Sequence, residues 1–195
     1  MEYLVTMTTR VPDGTTEREV AEVRAREAAR SRELAARGRL LRLWRPPLGP
    51  GEWRSIGLFD DEGPDALEHT LAGMPLRVWR TDVPVALGPH PADPGRGAVA
   101  VAADGDEYLV TFTEEEPPGT GTADPAGSRQ VRALATEGRL VRLWTLPDRG
   151  RVIGLWQASG ADRPREIAHA LAVAGPGPVE TVPLTRHPSD PAQVT

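Results

Sequence analysis

The chain writes one segment twice: Glu2-Tyr3-Leu4-Val5-Thr6-Met7-Thr8 returns as Glu107-Tyr108-Leu109-Val110-Thr111-Phe112-Thr113. Gly38-Arg39-Leu40-Leu41-Arg42-Leu43-Trp44 is echoed at Gly138–Trp144, Ile56-Gly57-Leu58-Phe59 at Ile153–Trp156, Leu67–Leu71 at Ile167–Leu171, and His90-Pro91-Ala92-Asp93-Pro94 at His187–Pro191. The echoes keep their order, and their offsets drift through 105, 100, 97, 100 and 97 residues. A repeat unit of about 90 residues is far longer than a solenoid or propeller period, so each copy must be a small domain rather than one blade of an array. The reading is a tandem: residues 1–94, a linker at 95–105, and a second, diverged copy at 106–195.

Units of this size sit near the lower limit of what buries an adequate core unaided, so the copies are expected to lean on one another. Each copy reads as strand, helix, strand, strand, helix, strand. In the first, alternation over Glu2–Thr9 marks a strand, and Pro12-Asp13-Gly14 ends it. Thr15 or Thr16 caps a long Ala-, Glu- and Arg-rich helix that stops at Gly38. Alternation resumes at Arg39–Arg45, with Leu41 and Leu43 on one face and Arg42 and Trp44 on the other. Trp53–Asp60 gives a third strand, Pro64 starts a short helix that Pro75 closes, and Val78–Leu87 gives a fourth strand, set at an edge or bulge by Pro84. In the second copy the first helix starts near Ala126 or Gly127 and ends at Gly138. This order implies an α+β chain of two ferredoxin-like βαββαβ domains. Each leaves one sheet face bare, so the expected solution is a fused pseudo-dimer with its sheets packed face to face, in the manner of a dimeric α/β barrel.

Composition narrows the function. A net charge of -5 without any basic block argues against a nucleic-acid partner. There is no cysteine, which removes disulfides, thiol nucleophiles and thiolate metal sites. All 23 basic residues are arginine, which excludes lysine Schiff-base chemistry. With no signal peptide and no apolar run long enough to span a bilayer, the expectation is a soluble cytoplasmic protein without a membrane partner. No histidine pair has the spacing of a metal site, so no metal is expected.

One residue stands out chemically. Glu27 falls within the apolar stripe of the long helix, among Val20, Val23, Ser31 and Leu34. The functional reading is a partly desolvated carboxylate that can act as a general base. Arg24, one turn earlier, would hold a substrate carboxylate or an enolate oxygen. The bland alternative is an ion pair between Glu27 and Arg24, Arg30 or a strand arginine. In the second copy the matching positions are Gly127 and Asp124, so only one active pocket is expected. Arg42 and Trp44, repeated as Arg142 and Trp144, read either as packing between the sheets or as an anion clamp beside an aromatic wall. His69 and its echo His169 read as surface or interface residues. His90 and His187 sit in Pro-rich tails that could cross to a neighbouring unit.

Taken together, these residues resemble the muconolactone delta-isomerase family. The resemblance rests on the strand Tyr3–Thr8, the Arg24/Glu27 spacing, Leu43-Trp44-Arg45, the strand ending Phe59-Asp60, Met74-Pro75-Leu76 and the terminal His90-Pro91. It implies a ferredoxin-like fold assembling through its sheets, hence a homo-oligomer, and a cofactor-free double-bond shift in a small lactone by proton removal and return. It assigns Glu27 as the base and places Trp53 and Ser55 in the substrate pocket. The family's helix carries lysine where this chain has Arg24, and arginine binds anions without readily shuttling protons. The expectation is therefore an isomerase or cyclase of secondary metabolism acting on a small lactone or polyketide-like carbonyl compound. The alternative class is a non-catalytic small-molecule-binding or scaffold protein of the same fold.

Overall fold

In the computed structural model, residues 1–102, 105–113, 132–148, 150–158 and 179–193 are described. The strands are β1 (Glu2–Thr9), β2 (Leu40–Arg45), β3 (Arg54–Asp60), β4 (Arg80–Pro89), β5 (Asp106–Thr113), β6 (Leu140–Thr145), β7 (Arg151–Ala158) and β8 (Glu180–Arg186); the helices of the first half are α1 (Glu17–Ala36) and α2 (Pro64–Ala72). Residues 132–136 are helical in the second half, and Gly138 beyond them takes a φ of 72°, matching Gly38 at 68°. Left-handed backbone of this kind is where a glycine ends a helix without a Cβ clash. The start expected near Ala126 or Gly127, and the second helix of that copy with His169, lie outside the described residues.

The pairing of the strands corrects the expected fold. Rather than two four-stranded sheets of separate ferredoxin-like domains laid face to face, the eight strands hydrogen-bond in the order β1-β3-β2-β8-β5-β7-β6-β4 as a closed antiparallel barrel. The physical reason lies in the strands that a four-stranded unit would leave with bare edges. Trp44 and Arg45 of β2 pair with Arg186 and Thr185 of β8, and Thr145 and Trp144 of β6 pair with Gly88 and Pro89 of β4. Closure satisfies backbone groups that an open edge leaves unpaired.

Contacts divide the chain into two units. The first comprises Met1–Ala86 with Thr185–Thr195, the second Leu87–Leu184. The first unit is thus completed by the far end of the chain.

Within the first unit, β1 alternates as the sequence predicts, burying Tyr3, Val5, Met7 and Thr9. Thr16 caps α1 through a reciprocal capping box with Glu19, satisfying backbone donors that a helix start leaves open. The buried stripe of α1 is Val23, Glu27, Ser31 and Leu34. Leu34 joins Tyr3, Val5, Met7, Leu40, Leu43, Phe59, Leu67, Leu71 and Met74 in one core.

Two local expectations change. A 3-10 turn occupies Pro75–Trp79, so β4 begins at Arg80 rather than Val78, because Val78 and Trp79 belong to the turn. The clean alternation of β2 is also broken, because a register shift between Leu40 and Arg42 leaves Arg42, Leu43 and Trp44 all buried. A bulge aims consecutive side chains away from strict alternation.

The second unit repeats these devices. Its core holds Tyr108, Val110, Phe112, Leu134, Leu140, Leu143, Val152 and Trp156, and β6 carries the same shift between Leu140 and Arg142. No helix among the described residues is long and apolar enough to cross a membrane.

Candidate active site

A cavity of about 210 Å³ opens in the first unit, with Met7, Arg24, Glu27, Ser31, Leu43, Arg45, Trp53, Ser55, Leu76, Arg80 and His187 among its lining. Each side chain arrives for a local reason. Glu27 and Ser31 are one turn apart on the buried stripe of α1, and Arg24 is one turn before them at the exposed end of the cavity. Met7 and Ser55 are register partners on β1 and β3. Leu76 lies within the 3-10 turn and Arg80 directly follows it, and His187 lies on the segment following β8.

Glu27 is 9 % exposed and held at both oxygens. Its Oε1 accepts from Arg80 Nη1 at 2.6 Å, and its Oε2 accepts the backbone N–H of Leu76 at 2.8 Å. The pairing predicted as the bland alternative is therefore present, with a strand arginine rather than Arg24 or Arg30. Arg80 is itself fixed from its other side: Nε donates to Asp82 Oδ1 at 2.6 Å and Nη2 to Asp82 Oδ2 at 3.1 Å. This leaves Glu27 rigid and oriented, with lone pairs beyond those engaged, since two carboxylate oxygens offer about four acceptor positions.

The cavity also carries an excess of positive charge. Arg24 stacks its guanidinium 5.3 Å from the Trp53 ring centroid, a cation–π arrangement that leaves its N–H edge available. Among the described residues neither Arg24 nor Arg45 has a carboxylate at ion-pair distance. Two such arginines beside a compensated Glu27–Arg80–Asp82 chain suit an anionic group on a ligand.

His187 is half-buried in the same lining. Its pKa is lowered to about 4, chiefly by burial and then by the charges of Arg45 and Arg24, against a smaller opposing pull from Asp190. Its Nδ1 accepts the Ser189 backbone N–H at 3.1 Å, which places the proton of the neutral ring on Nε2.

Of the residues predicted for the site, Glu27, Arg24, Trp53 and Ser55 line one cavity, whereas Arg42 and Trp44 do not. Trp44 is fully buried and stacks under Arg42 at 4.9 Å. Arg42 grips Asp190 in the tail, with Nε to Oδ1 at 3.1 Å and Nη2 to Oδ2 at 3.0 Å, while Asp190 Oδ1 also accepts the Leu43 N–H at 3.0 Å. The pair thus anchors the segment that carries His187. His69 is on α2 and outside the cavity lining. Sequence reasoning missed Arg80, for which no periodicity gives a signal, and Arg45, which lay within the quoted Leu43-Trp44-Arg45. His187 had a signal in the repeated His-Pro-x-Asp-Pro, but a tail motif does not say which cavity it reaches.

A family model described as muconolactone delta-isomerase matches residues 1–93 and again 107–190. No curated protein matches. Among solved structures, a haem-binding protein from Thermus thermophilus is similar at 12% identity and a TM-score of 0.55, covering 97% of this chain and 93% of that one. A candidate chlorite dismutase is similar at 10% identity and a TM-score of 0.54, covering 97% and 96%. At such identities the likeness concerns the fold alone.

Proposed function

The chain belongs to the muconolactone delta-isomerase family, and we propose that its first unit is a cofactor-independent isomerase or cyclase working by proton transfer beside a carbonyl group. The observation that carries this reading is a buried carboxylate, Glu27, oriented at both oxygens inside a cavity that also presents Arg24 and Arg45. Its substrate is a small lactone or polyketide-like carbonyl compound bearing an anionic group. Arg24, flattened on Trp53, and Arg45 hold that group, and Ser55 borders the ring.

Glu27 takes a proton from the carbon next to the carbonyl. The electrons of that C–H bond move into a new C=C bond as the carbonyl oxygen gains charge, and Glu27 returns the proton to another carbon of the conjugated system. Atoms and electrons balance without an oxidant or reductant. General base catalysis of this kind contributes about 10²- to 10⁴-fold. Arg80 and the Leu76 N–H keep the carboxylate aimed through the cycle, so little reorganisation is needed at the moment of transfer.

The ion pair with Arg80 favours a second reading, in which Glu27 only buttresses β4 against α1 and the cavity binds a ligand without converting it. Muconolactone in D₂O separates the two, followed by NMR for isomerisation and for deuterium entering the carbon acid. The enzyme reading expects turnover that Glu27→Gln removes while thermal unfolding stays cooperative. Ligand binding with no exchange in either protein would leave the binding reading.

A further inference from the structure

His187 shares the cavity with Glu27 yet comes from the opposite end of the chain, and three contacts hold it there. Its backbone N–H donates to Leu43 O at 3.0 Å, its carbonyl accepts the Asp190 N–H at 2.8 Å, and its Nδ1 accepts the Ser189 N–H. Beyond it, Asp190 is fully buried on Arg42 and the Leu43 N–H. The ring is therefore fixed in place and in tautomer. The charged groups around it are Arg24 from α1, Arg45 from β2 and Asp190 from its own segment, with Glu27 and Arg80 in the same lining. The arginines Arg24 and Arg45 make a further cation at this position unfavourable.

We propose that His187 is a catalytic residue of this cavity, its neutral Nε2–H donating a hydrogen bond to the substrate carbonyl oxygen on which charge gathers while Glu27 carries the proton. The assignment rests on the proton-transfer reading above. The roles divide by chemistry: Glu27 is the acceptor, the arginines bind a permanent anion, and a neutral imidazole donates to a transient one. A neutral donor does not give up its proton to the enolate oxygen, so charge returns to carbon when Glu27 delivers the proton back. Removing one preorganised donor of this type costs about 10²- to 10³-fold in turnover.

The test uses the full chain with muconolactone as probe. His187→Ala should lower kcat by about 10²- to 10³-fold with KM changed only a few-fold, and His187→Gln, which keeps an N–H near the Nε2 position, should recover part of the loss. His90→Ala, in the equivalent tail segment of the second unit, should leave turnover as it is. Should Glu27→Gln be inactive while His187→Ala turns over within threefold of the parent, the donor role is overturned and the base role stands. Should the parent and Glu27→Gln both be inert, the proton-transfer reading fails and the donor role falls with it. A measurement independent of substrate is ¹⁵N NMR of the ring, expected to show Nε2–H and bare Nδ1 between pH 5.5 and 8. An Nδ1–H tautomer, or an imidazolium at pH 7, would refute the assignment without any turnover assay.

Discussion

The two tail segments of this chain are nearly the same machine set in different surroundings. Asp93 meets Arg142 at 3.1 Å and accepts the Leu143 N–H at 2.8 Å, as Asp190 meets Arg42 and Leu43. Arg142 stacks on Trp144 at 4.8 Å, as Arg42 does on Trp44 at 4.9 Å. His90 Nδ1 accepts the Ala92 N–H at 3.1 Å, as His187 accepts that of Ser189. What differs is the sequence at the positions that accompany each histidine. Arg45 and Glu27 accompany His187, whereas the sequence has Thr145 and Gly127 at the matching places. The anchor is present in both halves, whereas Glu27 and Arg45 belong to the first alone, so under the proposed function the residues that hold a tail in place are separable from those that use it.

Four experiments break or sharpen that contrast. The largest expected effect is on turnover: Glu27→Gln should reduce it by about 10³-fold, measured on muconolactone by NMR. Next come the anchors. Asp190→Ala and Asp93→Ala each remove the carboxylate that an arginine grips, at a cost in chemical denaturation of about 3–5 kcal/mol for the fully buried Asp190 and less for Asp93, whose pair is more exposed. Only Asp190→Ala should also lower turnover, by up to about 10²-fold, since it releases His187.

A smaller, symmetric effect is expected from Gly57→Ala and Gly154→Ala. A Cβ on Gly57 would run into the Phe59 ring and one on Gly154 into the Trp156 ring, so overpacking should cost about 1–3 kcal/mol in either copy. A marked inequality between them would mean the cores are less alike than the repeat implies.

The smallest effect is in the pH dependence of stability. His187 has a folded pKa of about 4, below its ordinary value of 6.5, so the unfolded chain takes up a proton before the folded one. Its contribution is fully present above pH 6.5 and is lost as pH falls toward 4. A thermal unfolding series between those limits should therefore slope less for His187→Asn than for the parent.

Much of this was legible from sequence because it is local. The alternation of β1, the Thr16 cap and the stripe containing Glu27 each depend on neighbours within a few positions, and the structure places Arg24, Trp53 and Ser55 around Glu27. What escaped was long-range. Strand order depends on where the ends of β4 and β8 pair, and no alternation encodes that choice, so two separate sheets were expected where one closed ring of strands forms. Arg80 reaches Glu27 across 53 positions, and His187 arrives from the far end. Arg42 and Trp44, readable either as packing or as an anion clamp, lie outside the cavity lining, because an arginine over an indole looks alike in sequence whether it grips a substrate or the chain's own aspartate.

The late arrival of the last segment has a consequence for biosynthesis. As the polypeptide leaves the ribosome, Glu27, Arg24 and Trp53 emerge early, but the strap that seats beside them is not made until translation passes Asp190. A product terminated after the first copy would hold Glu27, Arg24 and Trp53 yet lack Asp190's lock on Arg42, so the cavity is lined in full only once the second copy has been made.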